Sequence, residues 1–261
     1  MSFITIKNLW KEYGKQVVLE NLNLEIEQGE FCTLVGASGC GKSTFLKMLL
    51  GQEQPSRGTL NLEDEPFPPQ PDRNRGIVFQ RYSVFPHLSV RDNVLMGLEL
   101  EQRPILGKLF GKPRREALVK VDAMLEAVGL TGAANKWPHE LSGGMQQRLA
   151  IAQSFLMKPR VLLLDEPFGA LDPGIRNDMH QLLLRLWKET DTTIFMVTHD
   201  LHEGFRLGTR LLVFDKVRHD PHDPQAFGAT ITYDLPIGKT DDGLLEDIQT
   251  NLSKTARIQA A

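Results

Sequence analysis

The stretch Gly36-Ala37-Ser38-Gly39-Cys40-Gly41-Lys42-Ser43-Thr44 fits the pattern G-x-x-x-x-G-K-[ST]. It follows a short apolar run, 31–35 (FCTLV), and precedes FLKMLLG, which has helical character as far as Gly51. The order is strand, loop, helix. In such a loop successive backbone N–H groups curl around an anion, and glycines permit the curl. The helix start adds positive partial charge. Lys42 can then reach the terminal phosphates of a nucleotide, and the Ser43 hydroxyl can ligate Mg²⁺. Gly36, Ser38, Gly39, Cys40, Gly41 and Thr44 line the cradle. A tight turn that binds nothing is the bland alternative, and it leaves the strand–loop–helix context unexplained. Cys40 fills a position the pattern leaves permissive. Alkylation of its thiol tests whether that position matters to the nucleotide.

A second group of residues supplies what a phosphate cradle lacks. Val161-Leu162-Leu163-Leu164-Asp165-Glu166 is an apolar strand ending in two carboxylates. In a parallel sheet, ligands sit at the carboxyl ends of strands. Asp165 is thereby placed in a Mg²⁺ shell, and Glu166 can polarise a water for attack on the γ-phosphate. Taken alone, the pair also fits an acidic turn. Shortly before it, Leu141-Ser142-Gly143-Gly144-Met145-Gln146-Gln147-Arg148 opens a helix. Ser142 caps it, and Gly143 and Gly144 let a phosphate approach the helix start. Helix capping is the ordinary reason for such a serine.

The elements that must carry these residues alternate. Stretches 3–9 and 17–26 have the two-residue period of half-buried strands, and 58–62 and 76–80 read as further strands. Residues 66–71 (PFPPQP) form a surface loop. Later come strands at 161–164, 193–197 and 211–214, with a helix at 174–189. Strands alternating with helices imply a parallel sheet covered on both faces. Residues 89–157 are mostly helical and interrupt that alternation, which predicts a separate lobe. Within it, 104–116 (PILGKLFGKPRRE) reads as a loop, either a solvated insertion or a partner-facing segment. His219-Asp220-Pro221-His222-Asp223-Pro224 reads as a proline-marked loop rather than a metal site. A helix is expected near 243–252 in a polar tail. The net charge of −3 lacks the basic excess of a nucleic-acid binder. Two cysteines make no disulfide framework, and no apolar run is long enough to span a membrane.

In this order, the motifs resemble those of the nucleotide-binding subunit of ABC transporters, over about residues 1–235. Gly36–Thr44 matches the Walker A motif, Leu141–Gln146 the signature, and Leu162–Glu166 Walker B with the catalytic glutamate. Gly169–Asp172 matches the D-loop. Gln80, after GIVF, matches the Q-loop glutamine, and His199, after TIFMVT, the switch histidine. Tyr13 stands where the family places an aromatic against adenine. As an isolated aromatic it equally fits core packing.

The resemblance implies an α/β P-loop NTPase with a mixed sheet core, an antiparallel β subdomain and a helical lobe, followed by a short tail at 236–261. It implies ATP and Mg²⁺ as ligands, with Mg²⁺ near Ser43, Gln80 and Asp165. His199 would hydrogen-bond the γ-phosphate and orient Glu166, and Gln80 would sense the metal or the attacking water. It implies a head-to-tail dimer of two copies of the chain, in which Ser142, Gly143 and Gly144 meet ATP held by Lys42 of the other copy. Integral membrane permease subunits and, indirectly, a solute-binding protein are the implied partners, with the chain peripheral at the cytoplasmic face of the inner membrane.

Segment 81–98 would receive a short helix of the permease, with Tyr82, Val84, Phe85 and Pro86 as an apolar socket. Internal packing of the lobe is the other reading. The wording around FQRYSVFPHLSVRDNV is similar to the nitrate, sulfonate and taurine importer group. The basic stretch 101–116 and Ala152-Gln153-Ser154, where members often carry Ala-Arg-Ala, depart from it. A soluble ATPase of the same superfamily acting on nucleic acid or ribosomes, and a P-loop kinase, are the rival readings. The first usually carries two such domains or a long coiled coil, and the second has no use for Ser142–Gln146.

Overall fold

In the computed structural model, residues 2–80, 84–103, 107–218, 220, 222, 223, 225–237 and 248 are described. The alternating N-terminal stretches form β1 (Ile4–Tyr13) and β2 (Gln16–Ile26), which pair antiparallel. Ile4 and Ile6 on β1 and Leu22, Leu24 and Ile26 on β2 turn to the buried side, as a period of two requires, and a register shift after Ile6 brings Leu9 to the same side. The buried run FCTLV ends β3 (Phe31–Gly36), and α1 (Lys42–Leu50) follows the loop. Strands β4 (Arg57–Leu62) and the two-residue β5 (Glu65–Pro66) return to the antiparallel sheet, whose order is β2-β1-β4-β5. The Pro-rich stretch therefore begins as a short sheet edge before it loops.

β6 (Arg75–Val78) opens the second sheet. The chain then leaves it for α2 (Val90–Gln102), α3 (Gly111–Ala127) and α4 (Gly143–Leu156). It returns through β7 (Val161–Asp165), α5 (Pro173–Lys188), β8 (Thr193–Val197), α6 (Leu201–Leu207), β9 (Arg210–Asp215) and β10 (Thr230–Pro236). The six strands lie in the order β10-β9-β3-β8-β7-β6. All neighbours are parallel except β10, which runs antiparallel to β9. The sheet is mixed, so the alternation of strand and helix overstates its parallel character by one edge strand.

Strands β7 and β8 divide the interior. Leu162, Leu164, Ile194 and Met196 face one apolar cluster, and Val161, Leu163, Phe195 and Val197 face another. The second cluster joins this sheet to α1 and the antiparallel sheet, with Phe45 edge-on to Phe195 and tilted against Phe214. The first joins the sheet to α2, α3, α4 and α5. The predicted lobe is therefore not separately cored. Val94, Leu98, Val121, Leu125 and Ile151 share one continuous cluster with the face of the central sheet.

The segment read as a loop at 104–116 is helical from Gly111 onward, so Lys112, Arg114 and Arg115 belong to the first turns of α3. Residues 104–106 and Tyr82 lie outside the described residues, as do His219, Pro221, Pro224 and all of 243–252 except Ile248. Among the described residues no cluster of three or more His, Cys, Asp or Glu is arranged to hold a metal. Among them, too, no helix is long and apolar enough to cross a membrane.

Candidate nucleotide site

The loop between β3 and α1 is held by close packing. A Cβ on Gly36 would lie 2.2 Å from the Phe214 carbonyl oxygen and 2.9 Å from Cys40 Sγ. Gly41, the helix N-cap, sits at φ 89°, a left-handed backbone that side chains rarely adopt. Lys42 is buried at the centre of the curl. Its Nζ donates to the carbonyls of Gly36 at 2.7 Å and Ala37 at 2.8 Å. Cys40 does not occupy a permissive place. It is 6% exposed and packs into the cluster beneath the loop. Burial raises its thiol pKa, and the Lys42 charge beside it only partly opposes the rise.

The carboxyl end of β7 meets the start of α1. Ser43 Oγ donates to Asp165 Oδ1 at 3.2 Å. Burial raises the Asp165 carboxyl above its ordinary range; the Ser43 hydrogen bond opposes the rise and the Glu166 charge adds to it. Two oxygen donors beside an uncomfortable negative charge form a place that a hard divalent cation would relieve. The next residue, Glu166, has φ 47°, a conformation that costs a non-glycine residue about 1 kcal/mol or more. Its amide donates to the Val197 carbonyl at 3.1 Å, which ties the turn to β8.

Two polar side chains from separate strands converge on the Glu166 carboxylate. Gln80 Nε2 donates to Oε2 at 3.2 Å, and His199 Nδ1 stands 3.7 Å from the same oxygen. His199 is 66% exposed on its side chain, so it faces solvent rather than the core. Gly169 closes the group: a Cβ there would lie 3.8 Å from the His199 ring and 3.9 Å from Glu166 Oε2.

Tyr13 ends β1 beside the loop and is 43% exposed, which removes the core-packing reading. Desolvation, then a hydrogen bond to the Glu53 carboxylate, raises its phenol pKa, and a hydrogen bond with the Thr44 side chain opposes the rise. Lys11 Nζ lies 4.8 Å from the ring centroid and 2.7 Å from Glu53 Oε2.

Ser142, Gly143 and Gly144 stand apart from this group at the head of α4. Ser142 Oγ accepts from the Met145 amide at 3.4 Å, an ordinary cap. A Cβ on Gly144 would lie 2.7 Å from Ile175 Cγ2 of α5, so this glycine also permits helix packing. Among the described residues no hydrogen bond or ion pair joins 142–144 to 36–44.

A groove of about 210 Å³ runs beside α2. It is lined by Phe85, Val94, Leu100, Gln153 and Ser154, among others, with no charged residue among them. Phe85 and Leu100 are exposed, while Val84 packs inward on the lobe and Pro86 does not line the groove. Internal packing thus describes Val84, and of the described socket residues only Phe85 lines the groove.

The sequence reading missed a buried polar chain next to His199. Thr198 Oγ1 donates to Glu203 Oε2 at 2.5 Å, and Glu203 Oε1 lies 2.7 Å from His180 Nε2. The spacing Asp200-x-x-Glu203 was its available signal. It has the form of a capping box, and Asp200 does cap α6 through the amides of His202 and Glu203. Glu203, however, turns inward to Thr198 and His180.

A model of the ABC transporter family matches residues 19–169. The nitrate import ATP-binding protein NrtD of Synechocystis is 43% identical over 200 residues, covering 77% of this chain and 71% of that protein. The sulfate/thiosulfate import ATP-binding protein CysA of Mycolicibacterium paratuberculosis is 40% identical over 235 residues, covering 89% of this chain and 61% of that protein. The spermidine/putrescine import ATP-binding protein PotA of Marinobacter nauticus is 42% identical over 214 residues. The chain spans 61% and 55% of the length of those last two relatives. Among solved structures, a dimeric ATP-binding cassette in a post-hydrolysis state with ADP and Pi superposes with a TM-score of 0.72 at 28% identity, over 91% of this chain and all of that one. The cbiO1 protein of Clostridium perfringens superposes with a TM-score of 0.77 at 24% identity, over all of this chain and 99% of that one, a likeness of fold. The phosphate loop, the paired carboxylates and the residues around them thus lie in a chain that belongs to the ABC transporter family and has the fold of its ATP-binding cassettes.

Proposed function

We propose that this chain is the ATP-hydrolysing subunit of an importer and that residues 1–235 form the working unit. The observation that carries the reading is the convergence of Gln80 and His199 on one oxygen of Glu166, beside the Ser43–Asp165 pair. Gly36, Ser38, Gly39, Cys40, Gly41, Lys42, Ser43 and Thr44 cradle the phosphates, and Tyr13 lies against the base. Ser43 and Asp165, with Gln80, would hold Mg²⁺, whose charge would offset that of the phosphates. Glu166 accepts the proton of the attacking water. His199 orients Glu166 and donates to the γ-phosphate, which lowers the cost of the charge that builds there.

Ser142, Gly143 and Gly144 point this work at a second copy of the chain. They make no polar link to their own phosphate loop, and the superposed relative at 28% identity is dimeric. Two copies arranged head to tail complete two sites with one pair of surfaces. The uncharged groove at Phe85 and Leu100 receives a segment of an integral membrane permease. The chain then sits peripherally on the cytoplasmic face of the inner membrane, with a solute-binding protein as a more distant partner. All the named import relatives take small solutes or ions, and this chain itself does not contact the cargo.

The test is Glu166→Gln in the full chain. It keeps the side-chain shape and removes the base. Hydrolysis falls by about 10²–10⁴-fold, and size-exclusion in Mg·ATP gives a dimer that the wild type forms only transiently. Wild-type hydrolysis by this variant sinks the assignment. Ser142→Arg separates the kinase reading, since a kinase keeps its activity when that distant helix start is blocked.

A further inference from the structure

We infer that the buried chain Thr198–Glu203–His180 is a positioning device that sets the place of His199 relative to Glu166. The inference rests on the role given above to His199.

His199 is the most loosely held member of the site. Its side chain is largely exposed, and its nearest polar partner is Glu166 at 3.7 Å. The backbone that carries it is, by contrast, clamped. The Thr198 amide donates to the Leu34 carbonyl at 3.1 Å, which ties this turn to the strand leading into the phosphate loop. The Thr198 hydroxyl accepts from the Asp200 amide at 3.1 Å and donates to Glu203 at 2.5 Å. The residues on both sides of His199 are therefore bound to one hydroxyl.

Glu203 carries that restraint across to α5. Its second oxygen lies 2.7 Å from His180 Nε2. Thr198, His180 and Glu203 are all at least nine-tenths buried. Their donors and acceptors fall in one consistent order: the hydroxyl and the imidazole N–H both donate, and the carboxylate accepts both. Among the described residues His180 Nδ1 has no hydrogen-bond partner. The His180 ring in turn meets Phe168 edge-on at 5.0 Å. Phe168 lies two residues beyond Glu166 on the turn that carries the carboxylate. The polar chain thus begins at the residue before His199 and ends against the residue two after Glu166. It closes a loop around the 3.7 Å gap between them.

A buried polar network of this kind restrains one geometry, and a shift of about an ångström at a reacting group can cost up to 100-fold in rate. Among the described residues no side chain of the network hydrogen-bonds to the phosphate loop or to Asp165. Its loss therefore lowers kcat and leaves the KM for ATP in place.

The experiment uses the full chain and Mg·ATP hydrolysis, with Thr198→Val, Thr198→Ser, Glu203→Gln and His199→Ala, and the two double variants carrying His199→Ala. Thr198→Val and Glu203→Gln each lower kcat about ten-fold, with KM within two-fold. Thr198→Ser, which keeps the hydroxyl, recovers most of the rate lost in Thr198→Val. In the His199→Ala background, Thr198→Val and Glu203→Gln cause no further loss. An equal loss in both backgrounds overturns the inference, because the network then acts on something other than His199. So does a wild-type kcat in Thr198→Val. If His199→Ala itself hydrolyses ATP at the wild-type rate, the role of His199 fails instead, and the two failures are distinct. If Glu203→Gln does not fold, the Thr198 pair carries the test alone.

Discussion

Replacing Gly36 by alanine is the most direct probe of how the phosphate loop is built. The added Cβ would lie 2.2 Å from the carbonyl oxygen of Phe214 and 3.1 Å from its carbon, where ordinary contact begins at 3.4 Å. The obstacle is backbone, paired with Gly36 in the β3–β9 ladder, so no side-chain rotation relieves it. Either the end of β3 peels from β9, or the loop moves out of the site. The first route costs about 1–3 kcal/mol of overpacking, together with about 1 kcal/mol for a weakened ladder hydrogen bond. At roughly 2–4 °C per kcal/mol for a chain of this size, Tm falls by about 4–16 °C. Thermal unfolding of Gly36→Ala reads this, with ATP titration on the same sample reading the loop.

Gly174→Ala is the control. It lies in the first turn of α5 with no heavy atom within 4 Å of the added Cβ, and a helical Gly→Ala gains up to about 1 kcal/mol. Cys40→Ala in the Gly36→Ala background removes the 2.9 Å contact with Sγ but not the carbonyl, so it restores little. A Gly36→Ala protein that melts within about 1 °C of wild type and binds ATP normally refutes the reasoning.

Three more predictions follow from the same geometry. Tyr13→Ala raises the KM for ATP about two- to thirteen-fold through loss of about 0.5–1.5 kcal/mol of stacking, and leaves kcat at saturation unchanged; an unaltered KM removes Tyr13 from the site. The Asp165 carboxyl is raised by burial, so its ionised form burdens the fold at neutral pH, and that burden fades as pH falls through the raised folded pKa and is gone below the unfolded value. Asp165→Asn accordingly melts higher than wild type at pH 7 without Mg²⁺ and nucleotide, the gap closes toward acid pH, and Mg²⁺-dependent hydrolysis is lost. A lower Tm at pH 7 contradicts this. Cys32 is fully buried with a pKa raised well above the usual thiol value, and Cys40 is raised as well. Both react with a thiol reagent only after denaturation; rapid labelling of the native protein at neutral pH would place Cys40 at the surface.

Much of the site was legible because its chemistry is written locally. A phosphate cradle needs glycines, a lysine and a hydroxyl within nine residues of one strand end, and Gly36–Thr44 supplies them. The Asp165–Glu166 pair is likewise a strand end. What was not legible depends on distant partners. Cys40 read as permissive because its neighbours Gly36 and Phe214 come together only through the β3–β9 ladder. Glu203 went unread, because His180 is brought to it from another helix. The strand β10 and the seven-residue α6 went unread, being short and, in β10, half exposed. The helical segment 89–157 announced itself by composition, but its fusion with the sheet core did not, since Leu162 and Leu164 carry no mark of which helices cover them.

The left-handed backbone at Glu166 reaches beyond the reaction it serves. A residue at φ 47° is under a second selection that ignores its carboxylate and asks only for tolerance of that hand. Aspartate and asparagine meet it most readily, glycine meets it without strain, and valine or isoleucine meet it badly. A copy of this gene that lost the catalytic function would not drift freely here. Its accessible replacements are sorted first by backbone and only then by chemistry, so an inactive descendant would still betray, in a small or amide residue at this one position, the shape of the turn that once held the base.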